Sequence, residues 1–566
     1  MMRFRVRRAD ILGLGVASSL GVLAACAPAP AAPPAVPASG APAPAAGAPA
    51  APKESPQRGG VLQFGIRQEG RFLFPWKGEI VETQLSTPVY ETLVKYDHRF
   101  DLDYRIDFEV FPRLARRWEQ PADNVFVFEL QPGVQWHDGR DFTADDVLWS
   151  LNELRNPQNP YPRAEVIRDI RQVEKLDSHR VRVTLEAPSA DFLAILALPS
   201  NQIFMLPKHL GEQGFNFDKG MMGTGPMKLK SADLKSVVVY ERNDNYWQAG
   251  KPYLDGGHFF LGREQAAMQA ALAAKEMDFL NVGDKAQFDG VMAAVPGLQS
   301  TSYVQTIANH LYPRQDRPPF NDIRVRRALN LAIDRPAMLK TLTFDRGVIN
   351  PPAGVGFKKG WGISQEELPT YPGWRQPKEQ DLSEARKLLA EAGFANGLKT
   401  SILATRQRST SPPIGEAASG QLRVVGIDAE LNFPDHGVYL KAEASGDYDI
   451  VMALAADAIP YNERLVNWFH SKGSFNKVGP RDAKLDELIE RLGRTMDVAA
   501  RKKLVYEIQK TILDNVYAIP TIDLATFALW QPWLKSYALC YCAQAYGISW
   551  TDMWFDPPTA PKRTLK

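Results

Sequence analysis

The eight histidines and three cysteines of this 566-residue chain are the side chains best suited to chemistry, and their spacing assembles none. No His-x-x-x-His pair places two imidazoles on one helix face for a metal, and no zincin helix is present. The spacing of a serine nucleophile elbow, G-x-S-x-G, is absent. A Walker A loop is absent too, so any ATP hydrolysis belongs to another chain. Cys540 and Cys542 stand two residues apart; on a strand they point alike, near the edge of bridging range, which disfavours a mutual disulfide. Two thiols also fall short of a four-ligand metal site, so both are expected as small buried hydrophobes. A net charge of +2 with 23% charged residues offers no clustered basic surface for nucleic acid. No metal, cofactor or enzymatic activity is expected. Binding remains. Arg406 and Arg408 carry planar forks that match a carboxylate, and Trp76, Trp361, Trp374 and Trp468 could stack on sugar rings or ligand side chains. Surface charge for the arginines and core packing for the tryptophans are the competing readings.

The elements that would position such groups are clearest between Leu114 and Asn152. Val125 to Leu130 is a β-branched and aromatic run that predicts a strand. Gln131-Pro132-Gly133 supplies a turn, and Asp138-Gly139 a second one of hairpin type. Thr143 with Asp146 three residues on is a capping-box variant. The helix behind it carries Val147, Leu148, Leu151 and Leu154 on one face at the 3.6 period. His137, inside this unit, reads as a structural hydrogen-bonding residue.

The run GVQWHDGRDFTADDVLWSL in that unit closely resembles the signature of the family 5 extracellular solute-binding proteins, receptors of ABC importers for peptides, nickel chelates and related solutes. Three further stretches carry the resemblance: VYETLVKYD from Val89, the block from Gly223-Thr224-Gly225-Pro226-Met227 to ERNDNYW, and PPFNDIRVRRALNLAIDR from Pro318. In the last, Ile323, Val325, Ala328, Leu329, Ala332 and Ile333 form an amphipathic helix, with Arg324, Arg326, Arg327 and Arg335 expected mostly on its outer face. The resemblance runs from Gly60 to Pro557.

Ahead of it, Arg3, Arg5, Arg7 and Arg8 precede an apolar stretch, Ile11 to Ala25, too short to span a bilayer. Residues 1–25 are read as a signal peptide. Leu23-Ala24-Ala25-Cys26 resembles the bacterial lipobox, which implies cleavage before Cys26 and lipidation of its thiol. Ala27 to Arg58 is almost entirely alanine and proline and cannot bury a core. At polyproline spacing it could reach roughly 90 Å, a leash between membrane and receptor.

The resemblance implies an α/β, two-lobed periplasmic-binding-protein-like fold (type II, the large family 5 variant) with a hinge and an interlobe cleft. Residues 59–304 would form the first part of lobe I, 305–520 lobe II, and 521–566 the return to lobe I. Too many residues follow Gly59 for one core, which agrees. In peptide-binding relatives, the strand matching Met452 to Asp457 offers backbone groups to an extended peptide, and an aspartate there pairs with the ligand's α-amino group; Asp457 is the matching acid. Ile459 stands where a second acid is usual, which keeps oligosaccharide as the alternative ligand to peptide. Arg406 and Arg408 fall where dipeptide-binding relatives place an arginine for the carboxylate. Trp76 and Trp468 are carried as ligand-stacking candidates, and Gly223, Gly225 and Pro226 as a turn beside the cleft or a plain sheet connection. A monomer is expected, held to the membrane by its lipid alone, working with permease and ATPase subunits. An enzyme or peptide chaperone on the same scaffold is the rival of a different class.

Overall fold

The computed structural model describes residues 55–77, 80–96, 110–159, 161, 164–198, 201–283, 285–304, 308–343, 347–349, 361–364, 366–406, 411–455, 461–536, 549–557 and 559–565. The expectations for the signal peptide, Cys26, residues 27–54 of the Ala/Pro stretch, Arg408, Asp457, Cys540 and Cys542 lie outside these residues.

Strand Val125–Leu130 forms where the β-branched and aromatic run predicts it, with Phe126, Phe128 and Leu130 turned into the core. It sits in a four-stranded antiparallel sheet between Ala115–Ala122 and Arg180–Leu185, with Ile170–Asp177 at the far side. Gly133 and Gly139 make the two turns at φ of +71° and +88°, a region that L side chains avoid. Helix Ala144–Leu154 opens on a complete capping box. Thr143 Oγ1 accepts from the Asp145 N–H at 3.3 Å, and Asp146 accepts from the Thr143 N–H at 2.9 Å. Val147, Leu151 and Leu154 are buried, with Leu148 at the margin.

A second four-stranded sheet runs Val61–Gly65, Gly256–Phe260, Val237–Arg242, Met227–Asp233, its first pair parallel and the rest antiparallel. Both sheets feed one hydrophobic cluster, which also takes in Trp533, Leu534, Trp550 and Phe555 from far along the chain.

The third sheet has five strands in the order Ile427–Asn432, Leu398–Leu403, Ile450–Ala455, Ala308–Pro313, Ile519–Pro520. The first three are parallel, and Ala308–Pro313 is antiparallel to Ile450–Ala455. Helices cover both faces. Ile450 and Met452 enter one cluster with Val325, Leu329, Ile402 and Ile414; Val451 and Ala453 enter another with Leu465, Leu485 and Ile508. A strand covered on both sides reads as an unbroken apolar run. Helix Glu379–Glu391 ends at Gly393, φ +92°. Helix Ile323–Ala332 is capped by Asp322, whose carboxylate accepts from the Arg324 N–H at 2.8 Å.

Two arginines correct the sequence reading, Arg326 in that helix and Arg335 at the start of the next, Arg335–Thr343. Arg326 and Arg335 are buried rather than on the outer face. Arg326 donates to Phe320 O and Asn515 O, and Arg335 to Pro520 O and Gly373 O. Free carbonyls at the ends of neighbouring segments draw both cations inward.

A further sheet has Ile522–Trp530 at its centre, flanked by Phe279–Val282 and Gln299–Val304 and paired near its start with Gly347–Ile349. The chain therefore passes between this sheet and the five-stranded one twice: from Gln299–Val304 to Ala308–Pro313, and from Ile519–Pro520 to Ile522–Trp530.

Candidate functional site

The two passages lie side by side and are bonded to each other. Thr521 donates to Asn309 O from its backbone N–H at 3.2 Å and from its hydroxyl at 2.7 Å. Asn309 in turn donates to Asp523 Oδ1 from its backbone N–H at 3.2 Å and its amide at 2.6 Å. All three residues are buried. A relative movement of the two sheets has to bend both passages at this one joint. Sequence reading placed the crossings near here, but Asn309, Thr521 and Asp523 carry no motif that marks them.

Beside the joint is the carboxyl edge of the parallel strands, the edge at which open α/β sheets bind ligands. Leu403 is level with Asn432 on one side and Val451 on the other. Past them the chains part: the Ala404 N–H turns to Asn432 O, and pairing with Ile450–Ala455 stops at Val451. Residues 452–455 are thus paired with Ala308–Leu311 on one side and have no strand partner on the other among the described residues. Arg406 stands at this edge, exposed, its guanidinium 4.3 Å above the ring of Phe433. The ring restrains the cation without neutralising it, and Arg406 has no carboxylate partner among the described residues. An exposed, restrained guanidinium next to an open backbone edge can hold an extended chain that ends in a carboxylate. Phe433 was not anticipated; only the parallel register makes it Arg406's neighbour.

The other expected contacts fall elsewhere. Trp76 is fully buried, its indole N–H donating to Phe204 O at 3.2 Å, its ring among Phe74, Tyr161 and Trp149. Trp468 is buried between Tyr312 (4.2 Å) and Phe475 (5.1 Å). Both present core packing and no stacking face, which corrects the ligand-stacking reading; aromatic area is worth most where water is excluded. The Met452 side chain is likewise interior, so only its backbone reaches the edge.

Gly223, Gly225 and Pro226 form a buried turn against Pro88 and Val89. A Cβ on Gly223 would stand 1.8 Å from Val89 O, and one on Gly225 2.6 Å from Pro88 O. The glycines admit the chain's own backbone. His137 clamps the turn: its backbone N–H donates to Gly223 O at 2.9 Å, and its Nε2 bonds Gly225 O at 3.0 Å. Burial pushes the imidazole pKa down to about 4, and the buried Nδ1 has no partner among the described residues. That neutral ring is structural, as its sequence context suggests.

The comparisons agree with this geometry. The dipeptide-binding protein of Escherichia coli (strain K12) is 28% identical over 407 residues, 65% of this chain and 70% of that protein. A glutathione-binding protein of Salmonella paratyphi A is 28% identical over 346 residues, 60% of this chain and 64% of the relative. Among solved structures, the oligopeptide-binding protein of Bacillus subtilis in complex with a nonapeptide superposes with a TM-score of 0.70 at 20% identity, covering 88% of this chain and all of that one. The family model for bacterial extracellular solute-binding proteins, family 5 (middle region), matches residues 109–477, well over half the chain. Its members are extracellular solute-binding proteins of bacteria. With its five-stranded α/β sheet, doubled chain crossing and matching family region, this chain belongs to the family 5 bacterial extracellular solute-binding proteins.

Proposed function

We propose that the chain is the receptor of an ABC importer that takes a peptide at the carboxyl edge beside the doubled crossing and delivers it to a permease. Residues 59–304 and 521–566 form one lobe and 305–520 the other, and the crossing is their hinge. In support, Trp533 and Phe555 join the cluster built on residues 62–261, whereas the clusters around Ile402 and Val451 draw on residues between 311 and 522. The observation that carries the peptide reading is Arg406, exposed on Phe433 next to the open edge of 452–455. Arg406, with Arg408 near it, receives the peptide's carboxylate, residues 452–455 its backbone, and Asp457 its amine. The burial of Trp76, Trp361, Trp374 and Trp468 weakens the oligosaccharide alternative. Cys26 carries the acyl anchor and Ala27 to Arg58 the tether. Among the described residues no helix is long and apolar enough to cross a membrane.

Calorimetry with alanine peptides of two to five residues tests the assignment, each with a free and an amidated carboxyl end. Arg406→Ala should weaken free-carboxyl peptides about tenfold or more, the worth of one charged hydrogen bond, and leave amidated ones unchanged. Binding of neither series to the unaltered protein overturns the peptide reading. Mass analysis of the membrane-bound protein tests the anchor: an acylated N-terminus at Cys26 supports it, and any other N-terminus refutes it.

A further inference from the structure

Two hydrogen bonds join the two proposed lobes at a place remote in sequence from the hinge. Asp191 Oδ1 accepts from Arg501 Nη2 at 2.6 Å across 310 residues, and the Ala190 N–H donates to Gly493 O at 3.2 Å. Asp191 precedes helix Phe192–Ala197, whose Phe192 and Leu196 belong to the cluster with Phe126. Arg501 lies on helix Val498–Asn515, whose Leu504, Val505 and Ile508 belong to the cluster with Val451.

Three features set this pair apart from an ordinary surface bridge. Asp191 occupies an N-cap position, where aspartate normally bonds its own helix, yet it makes no capping hydrogen bond; its carboxylate is spent on Arg501 instead. Both side chains are about nine-tenths buried, and the guanidinium lies 5.5 Å over the Trp361 ring. The bond is also single where two are available. Asp191 Oδ2 and Arg501 Nε are both buried without a hydrogen-bond partner among the described residues. Guanidinium and carboxylate favour two parallel bonds, and buried polar atoms left over are costly. Nε and Nη2 lie on one edge of the guanidinium, so the unused donor and the unused acceptor are the two that would complete the same fork.

We infer that Asp191 and Arg501 are an interlobe latch, held by one bond in this conformation and completed to a two-bond clasp when the lobes close on solute. The inference rests on the two-lobe reading above. The latch stabilises the closed form through contacts that touch no ligand, so it sets solute retention without setting selectivity.

Hydrogen–deuterium exchange of the full-length chain in detergent, with and without a mixture of alanine tri- and tetrapeptides, tests it. Without peptide, Arg501→Ala should speed exchange roughly tenfold at 186–198 and 490–505, and also at the crossings, 299–304 and 519–530, because freed lobes load the hinge. Arg501→Lys keeps the charge but cannot fork, so it should match the unaltered chain without peptide and gain no added protection at 186–198 when peptide is present. The swapped pair, Asp191→Arg with Arg501→Asp, should restore protection. Faster exchange confined to the neighbourhood of residue 501, or a swap that restores nothing, overturns the latch. If the unaltered chain takes up no peptide, the peptide reading fails, and the peptide-free comparison alone decides the latch.

Discussion

Two buried ions, Glu91 and Arg335, organise the two halves of this molecule in opposite ways. Glu91 gathers donors. Its carboxylate accepts from Arg113 (2.9 Å), Thr224 (2.9 Å), Tyr246 (2.9 Å) and Trp247 (3.0 Å), which draws together the VYETL, GTGPM and NYW stretches. Arg335 gathers acceptors. It donates to Pro520 O, Gly373 O, Ile333 O and Asn330 Oδ1 and lies 4.1 Å over Trp374, which ties the end of helix Ile323–Ala332 to the returning chain. Glu91 meets an opposite charge directly; Arg335 is held by carbonyl dipoles and a ring, with burial lowering its pKa to about 9, still cationic at neutral pH. A landmark shared across a family can thus be a joint of the scaffold. In the first joint loss of the ion strands another ion, and in the second it strands only dipoles.

The sharpest break of that contrast is Glu91→Ala, which leaves the partly buried Arg113 without its partner. We expect a loss of about 3–5 kcal/mol in urea unfolding, with Glu91→Gln milder because it keeps an acceptor. Arg335→Met fills the same volume and bares no carboxylate bonded to it, so about 2–3 kcal/mol is expected; a loss as large as that of Glu91→Ala would erase the distinction. Between about pH 4 and 6.5 a pH effect should mark His137 in the first half. His137 has a folded pKa of about 4 against about 6.5 unfolded, so the unfolded chain binds the extra proton between these values. Stability contributed by the neutral ring is whole above pH 6.5 and falls as pH drops towards 4, by about 2 kcal/mol after allowing for partial exposure. Unfolding at pH 7 and pH 4.5 should show His137→Gln less sensitive than the unaltered chain; equal slopes would clear His137. The smallest effect is local: Thr143→Ala removes the cap of helix Ala144–Leu154 and should cost about 1 kcal/mol.

Local chemistry made some of this legible in the sequence and left the rest hidden. The Thr143 capping box and the turns at Gly133 and Gly139 depend on residues within a few positions, and they form as the sequence predicts. The α/β class follows from the family resemblance, whereas the five-strand order does not. What failed was any inference about which large side chain stays accessible. Trp76 and Trp468 have the chemistry of ligand platforms, but their partners Phe204, Tyr312 and Phe475 come from other segments. Arg326 and Arg335 follow a helix period that points outward until carbonyls from residues 515, 373 and 520 are present. The half of the candidate site within the described residues, Arg406 on Phe433 beside 452–455, combines one residue read from the sequence with a neighbour that only strand register supplies.

The position of Ile522–Trp530 at the centre of its sheet has a consequence for the order in which this protein can fold. Phe279–Val282 and Gln299–Val304 both pair with that strand and not with each other, so more than two hundred residues must follow them before either finds its partner. Until then each exposes an unpaired edge, the kind of surface that invites pairing with another chain. A polypeptide emerging from its N-terminal end can complete the sheet built on Val125–Leu130 early, but it cannot close this one until about nine-tenths of its length has passed. This sheet therefore closes only after the second crossing, and a chain stalled short of residue 530 has both of those edges still open.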